Sequence, residues 1–345
     1  MEISPPFFGL DWCLKMIVRK ATTLDEVKSA QKIALKYFRS VEDELCNNSL
    51  KDVLWFEFPN FSADHIIIAT IDDLIVGLVR IVPLTFDFNG CLIRSAGLSS
   101  VCLEESVRGK GLSKQLMNEA LAILESDGYD TSHLIARRAL DHYYTKFGFV
   151  GGSSYQKALF IHSATHSTYS PIFIKERINA EVWDGDCSWF NHSYKDLLGR
   201  PVRSSGYWKY LMKRVPLFNR RVLDVYEGNN RVAYLIMDQS TIYELGLSKD
   251  FVHFESLLIE LTKNHGPINF VAHLEHPFIQ KLLGCRNADI TLSARKCSFG
   301  GHMVKFLRLP TQLLGITTEQ DLKNTFGIQF AQFSTCFNIL PMDEA

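Results

Sequence analysis

Several things are missing from this 345-residue chain, and each absence narrows its chemistry. The eight cysteines, at 13, 46, 91, 102, 187, 285, 297 and 336, form no Cys-x-x-Cys pair and no metal-finger spacing. They fit reduced thiols of a cytosolic core better than a disulfide framework. Charge of one sign is not in excess: 37 Lys and Arg face 38 Asp and Glu, for a net charge of −1. With no Arg/Lys-rich run either, neither nucleic acid nor an anionic membrane is expected as the main partner. Long apolar runs are absent; Ile66-Ile67-Ile68-Ala69 is typical, far below the roughly 20 residues of a bilayer span. The start, Met-Glu-Ile-Ser-Pro-Pro, lacks the basic residues and unbroken apolar stretch of a secretory signal. A cytoplasmic protein is expected. His273 and His276 stand three apart beside a proline with no further ligand in view, so no metal is expected.

What is present begins at residues 107 to 116, Val-Arg-Gly-Lys-Gly-Leu-Ser-Lys-Gln-Leu. An apolar strand-like run, Leu98 to Leu103, precedes this turn. An amphipathic helix with Leu112, Leu116, Ala120, Ile123 and Leu124 on one face follows it and stops before Gly128. Strand, Gly-rich turn, helix is an order that offers free backbone N–H groups and a positive helix end to a diphosphate. The spacing Gly109-Lys110-Gly111-Leu112-Ser113-Lys114 fits neither a P-loop nor a dinucleotide-binding turn, which disfavours a kinase or a dehydrogenase. About thirty residues on, Tyr143-Tyr144-Thr145-Lys146-Phe147-Gly148-Phe149 reads as a short helix closed by a left-handed Gly and an inward Phe.

Together these two segments resemble the GNAT (Gcn5-related) N-acetyltransferases, with Arg108, Gly111 and Ser113 on the family's Arg/Gln-x-x-Gly-x-Gly/Ala turn and Tyr144, Lys146, Gly148 and Phe149 on its Tyr-x-Lys-x-Gly-Phe. Ser113 replaces the usual Gly or Ala and is still small. The resemblance implies acetyl-CoA as acyl donor and an amine as acceptor. Backbone groups of Val101, Cys102 and Leu103 would hold the pantetheine arm. Residues Gly109, Lys110, Gly111, Leu112, Ser113 and Lys114 would donate N–H groups to the pyrophosphate, Arg108 would brace the turn, and Ala139 and Leu140 would stand near the pantetheine. Tyr144 is the candidate general acid, a phenol of ordinary pKa about 10 that is protonated at neutral pH. Tyr143, next to it, lies on a different helical face.

Length suits about two domains. In the first half, a strand at Ile17 to Thr22 leads into a helix running to about Phe38. The runs His65 to Thr70 and Leu74 to Val82 form a hairpin around Asp72-Asp73, and Cys91 to Leu103 follows Asn89-Gly90. His133 to Ala136 is a strand parallel to the one before the turn, and Ala158 to Ile161 is another before a boundary near 165 to 175. The second half repeats the order: a hairpin of Arg221 to Glu227 and Arg231 to Met237, a strand Thr241 to Leu247, a helix Phe251 to Asn264, a strand Ile268 to Ala272 and a helix Pro277 to Leu283. No phosphate turn lies between Leu247 and Phe251. The expected fold is α/β (α+β): two tandem GNAT-like domains, each a mixed, mostly antiparallel sheet flanked by helices, the second degenerate. The expected bounds are 1–165, 172–310 and a tail at 311–345. Ala96 to Val101, Gly206-Tyr207-Trp208 and Tyr243-Glu244-Leu245-Gly246 add a resemblance to the enhanced-intracellular-survival (Eis-like) acetyltransferases. Those usually carry a third domain and use a C-terminal carboxylate in the active site; only 35 residues follow Pro310.

Several roles stay open at this level. Glu57, His65, Glu104 and His142 are candidate general bases, each outweighed by a role as a solvated or satisfied polar residue, and direct attack by the neutral amine needs none. Cys102 reads as a buried thiol rather than a nucleophile. Trp55, Phe56, Phe58 and Phe61 form either an acceptor wall or plain core. The function expected is N-acetyl transfer to a small amine or protein lysine. The alternatives are a silent acyl-CoA sensor and, against the charge balance, a transferase using charged tRNA. A homo-oligomer is compatible with everything above.

Overall fold

The computed structural model describes residues 15–38, 55–136, 140–151, 155–164, 171–178, 181–183, 185–272, 276–284, 288–296 and 301–308. In the first half these form β1 (Ile17–Lys20), α1 (Leu24–Phe38), β2 (Ile66–Ile71), β3 (Leu74–Phe88), β4 (Cys91–Leu103), α2 (Leu112–Ser126), β5 (Thr131–Ala136), α3 (Asp141–Thr145) and β6 (Val150–Gly151). There follow β7 (Tyr155–Ala164), β8 (Ile172–Glu176), α4 (Asp186–Ser193), β9 (Arg200–Pro201), α5 (Ser205–Leu217), β10 (Arg221–Glu227), β11 (Asn230–Met237) and β12 (Thr241–Leu247). The last are α6 (Phe254–His265), β13 (Ile268–Val271), α7 (Pro277–Leu283), β14 (Ala288–Lys296) and β15 (Gly301–Phe306).

Local chemistry sets most of these bounds. Asp72 and Asp73 both sit at positive φ, 48° and 60°, and so do Asn89 and Gly90, at 56° and 89°; such pairs turn a hairpin with the twist its strands need. The start of α1 is doubly capped: the Thr23 hydroxyl accepts from the Glu26 N–H at 3.2 Å, and the Glu26 carboxylate accepts from the Thr22 N–H at 2.7 Å. In α2 the apolar repeat buries Leu116, Met117, Ala120, Leu121 and Leu124 against the sheet.

The strands form two sheets. The first has the order β1-β2-β3-β4-β5-β15-β6, with β9 paired to β3, and the second β14-β7-β13-β12-β11-β10-β8. Read from the β1 end and the β8 end, the two agree in sense at each step. Three antiparallel pairings come first, then one parallel pairing, β4 with β5 or β12 with β13, then antiparallel again. The halves also trade a strand. The run Ala158 to Ile161, read from sequence as the end of the first domain, belongs to β7 and pairs with β13 and β14 of the second sheet. The place beside β5 is taken by β15, from the far end of the chain. Strand pairing is non-local, so alternation of residues cannot say which sheet a strand joins.

Helix α5 lies between the sheets. Its Tyr207, Tyr210 and Leu211 pack on Val82, Leu84, Phe86 and Phe88 of the first, and its Trp208, Met212 and Val215 on Val222, Tyr234 and Ile236 of the second.

Candidate active site

The functional cleft starts from a fault in the first sheet. Between Leu78 and Arg80 the register of β3 against β4 slips, and Ser100 takes a left-handed φ of 53°. This is a β-bulge, which bends and twists the strand that carries it. As a result β4 pairs with β5 only at Ser95, Ala96 and Gly97. Past Gly97 the strands part, and a cavity of about 830 Å³ opens between them. Its wall runs along Leu98 to Leu103 of β4, through Arg108, Gly109, Gly111, Leu112 and Ser113, then back by Leu134 and Ile135 of β5 and Leu140, Tyr143 and Tyr144 near α3.

The turn at its mouth is shaped by glycine. Gly109 and Gly111 sit at φ 78° and 75°, where a side chain strains the backbone. A Cβ at either would meet no atom within 4 Å, so the turn faces open space. The N terminus of α2 starts at this turn; the Lys114 N–H is already donated to the Gly111 carbonyl at 3.0 Å, which leaves the earlier ones to face an anion. Arg108 supports it from behind: Nε donates to the Leu103 carbonyl at 3.0 Å, and the guanidinium lies 4.2 Å from the Tyr37 ring centre. Lys110 and Lys114 are exposed and off the wall, so only their backbone bears on the cavity.

The two tyrosines of α3 both line the cavity and differ in their bonding. Tyr143 donates its hydroxyl to the Ser113 carbonyl at 3.0 Å, tying α3 to the start of α2, and burial raises its pKa. Tyr144 is buried, lines the cavity and packs edge-on against Tyr143 and Phe149. Gly148 at φ 83° ends the segment, and Phe149 fills the core behind. Ala139 lies outside the described residues, as do residues 309–345.

Other sequence candidates fall away from the chemistry. Burial pushes the Cys102 thiol up to about 12, so it is no thiolate nucleophile at neutral pH. Glu104 accepts from Lys36 Nζ at 2.8 Å and the Tyr37 hydroxyl at 2.7 Å, and these bonds hold its pKa down. Glu57 is paired with Lys213 at 2.9 Å. His65 is kept toward its neutral form by burial, His142 is exposed, and neither lines the cavity. One lining residue was missed: His133 of β5, buried, with Nδ1 2.7 Å from the Ser95 hydroxyl and its ring edge-on to Phe86. Gly97 makes room for it, since a Cβ there would come within 2.8 Å of Nε2. The Gly97–His133 pairing depends on the β4–β5 register, which no local pattern encodes.

The acetyltransferase (GNAT) domain model matches residues 19–151, the strands, turn and tyrosine helix just described. This half is a GNAT acetyltransferase domain. The chain is therefore an acyltransferase, and the GNAT resemblance of its two motifs holds. Among solved structures, a conserved protein of Enterococcus faecalis, titled a probable N-acyltransferase, is 16% identical with a TM-score of 0.63, over 87% of this chain and 74% of that one. A GCN5-related N-acetyltransferase of Anabaena variabilis is 12% identical with a TM-score of 0.62, over 85% and 73%. Eis1 of Mycobacterium abscessus is 11% identical with a TM-score of 0.53, over 85% and 74%. At these identities the likeness is one of fold, and it spans both sheets. No curated protein matches the chain. Among the described residues no group of three or more His, Cys, Asp or Glu is placed to hold a metal, and no helix is long and apolar enough to cross a membrane.

Proposed function

We propose that this chain is an acetyl-CoA-dependent N-acetyltransferase that passes the acetyl group directly to a primary amine of a small molecule or protein, with Tyr144 as general acid. One observation carries the reading: the parting of β4 from β5 opens onto the left-handed Gly109–Gly111 turn, so strand backbone and helix start face one cavity. The residues fit the donor. Val101, Cys102 and Leu103 offer strand backbone to a pantetheine amide, Gly109 to Ser113 offer N–H groups to a pyrophosphate, Lys114 closing the turn with its own N–H on the Gly111 carbonyl, and a Cβ at Gly109 or Gly111 would meet no atom within 4 Å. Bound acetyl-CoA supplies the activated acyl group. As the neutral amine nitrogen bonds to the acyl carbon and the carbon–sulfur bond breaks, Tyr144 gives its Oη proton to the departing sulfur, and the proton lost from the nitrogen restores the phenol through solvent. Leu98, Leu112, Leu116 and Leu134 make much of the wall apolar, which strengthens each hydrogen bond made inside it.

The second half is, in this reading, a GNAT-like unit that has lost its phosphate turn; the shared strand order and sense support it. The test is calorimetric titration of CoA into the protein, then thiol release from acetyl-CoA over a panel of primary amines. Micromolar CoA binding with turnover of at least one amine is expected, and Tyr144→Phe should lose turnover while keeping binding. CoA binding without turnover of any amine would favour a sensor instead.

A further inference from the structure

One side chain from a distant helix has three ties to the short link that leads into the Gly109–Gly111 turn. Tyr37 stands in the last turn of α1, half-buried, and lines the cavity together with Arg108. Its hydroxyl donates to the Glu104 carboxylate at 2.7 Å and accepts from the Glu105 N–H at 2.9 Å. Its ring centre lies 4.2 Å from the Arg108 guanidinium. Residues 104 to 108 are all that joins β4 to the turn, so Tyr37 holds this link at its start and at its end.

The link has little else to fix it. The Glu104 N–H donates to the Val76 carbonyl at 2.7 Å, and a single 3-10 turn, Glu105–Val107, follows. Glu104 does not cap that turn with its own side chain; the Tyr37 hydroxyl takes the first N–H instead. Lys36 and Tyr37 together hold the Glu104 pKa down, and a phenol bond to a charged carboxylate is a strong one.

Arg108 is left with donors to offer. Nε is taken by the Leu103 carbonyl at 3.0 Å, and among the described residues Nη1 and Nη2 make no hydrogen bond and no carboxylate pairs with the guanidinium. A guanidinium stacked on a ring keeps its plane, and with it the direction of its remaining donors. Without the ring the long side chain regains its rotamers.

Resting on the acetyl-CoA reading, we propose that Tyr37 is a positioning residue for the donor: it fixes the 104–108 link and holds Arg108 so that Nη1 and Nη2 meet the donor's phosphates as they settle on the Gly109–Gly111 turn. Tyr37 takes no part in the acyl transfer itself. Coupling of this kind is reciprocal, so a bound diphosphate steadies the end of α1.

The test is calorimetric titration of CoA into the full chain and its variants. Tyr37→Leu should weaken binding by about tenfold, and Tyr37→Phe, which keeps the ring, by less than about threefold. Arg108→Met should weaken it by at least about tenfold. Because Tyr37 acts through Arg108, adding Tyr37→Leu to Arg108→Met should cost less than a further factor of about two. Hydrogen exchange supplies a second readout: CoA should slow the amides of the last turn of α1 in the wild type and not in Arg108→Met. With an amine that is turned over, Tyr37→Leu should raise the KM for acetyl-CoA and leave kcat within about twofold. A Leu variant that binds CoA as the wild type does, a Phe variant as weak as the Leu variant, or two substitutions whose effects multiply in full overturns the proposal and leaves acetyl transfer standing. Should Tyr37→Leu fail to fold, Tyr37→Phe and the exchange measurement decide. Absence of CoA binding by the wild type removes the acetyl-CoA reading and this one with it.

Discussion

Two parallel strand pairs part company in this molecule, and only one leaves a cleft. In the first sheet β4 leaves β5 after Gly97 and the space stays open. In the second, β12 pairs with β13 only at Thr241 and Ile242, and the chain's own side chains meet the backbone beyond. The Leu245 carbonyl bonds to His276 Nε2 at 2.9 Å, the Leu245 N–H donates to the Tyr194 hydroxyl at 3.5 Å, and the Leu247 N–H donates to the Ser193 hydroxyl at 2.9 Å. Buried backbone groups need partners. In the first half the Leu103 carbonyl likewise takes Arg108 Nε, and on the proposed reading the places beside the open cavity go to acetyl-CoA. A cofactor cleft and a packed core thus differ here by three side chains and a turn.

The largest test of that contrast removes β15. Ending the chain after Lys296 takes away the strand that lies between β5 and β6. Loss of soluble protein is expected, or a melting temperature lower by at least about 10 °C at roughly 2–4 °C per kcal/mol. An unchanged melt would mean the first sheet stands alone. Next, Gly111→Val, which forces a β-branched residue to φ 75°, should weaken CoA binding by at least about tenfold in calorimetry, a strain of 1–2 kcal/mol at the turn. Tyr144→Phe should lower kcat by about 100-fold and shift CoA affinity less than twofold.

The filled parting of the second sheet predicts a pH effect instead. Burial depresses the His276 pKa to about 4, below the ~6.5 of an unfolded chain. The unfolded state therefore binds the proton first, and the native state is stabilised fully only above pH 6.5. Stability should fall on the order of 3 kcal/mol between pH 6.5 and 4 through this group, measured by urea melts. His276→Gln should flatten that part of the curve and leave the KM for acetyl-CoA unchanged. The smallest effect belongs to Lys110→Ala: with its side chain off the wall, CoA affinity should change by less than about threefold, and only at low salt.

What could be read in advance follows from range. Hairpins at Asp72-Asp73 and Asn89-Gly90, the buried stripe of α2, and the Gly109–Gly111 turn are written in neighbouring residues, and all stand where local chemistry puts them. Helical register puts Tyr143 and Tyr144 on different faces, yet both line the cavity. The bulge at Ser100 did not show, because a left-handed serine carries no signal of its own. His133 and the Tyr194–His276 closure needed the register between distant strands. The exchange of β7 and β15 needed the whole topology.

That exchange has a mechanical consequence. Each half lends strand to the other's sheet, β7 one way and β15 with the two-residue β9 the other, like two hooked fingers, so a protease nick near residue 170 should yield fragments that copurify and part only in denaturant. A gene split at the same place would have to make both products together for either to hold its shape.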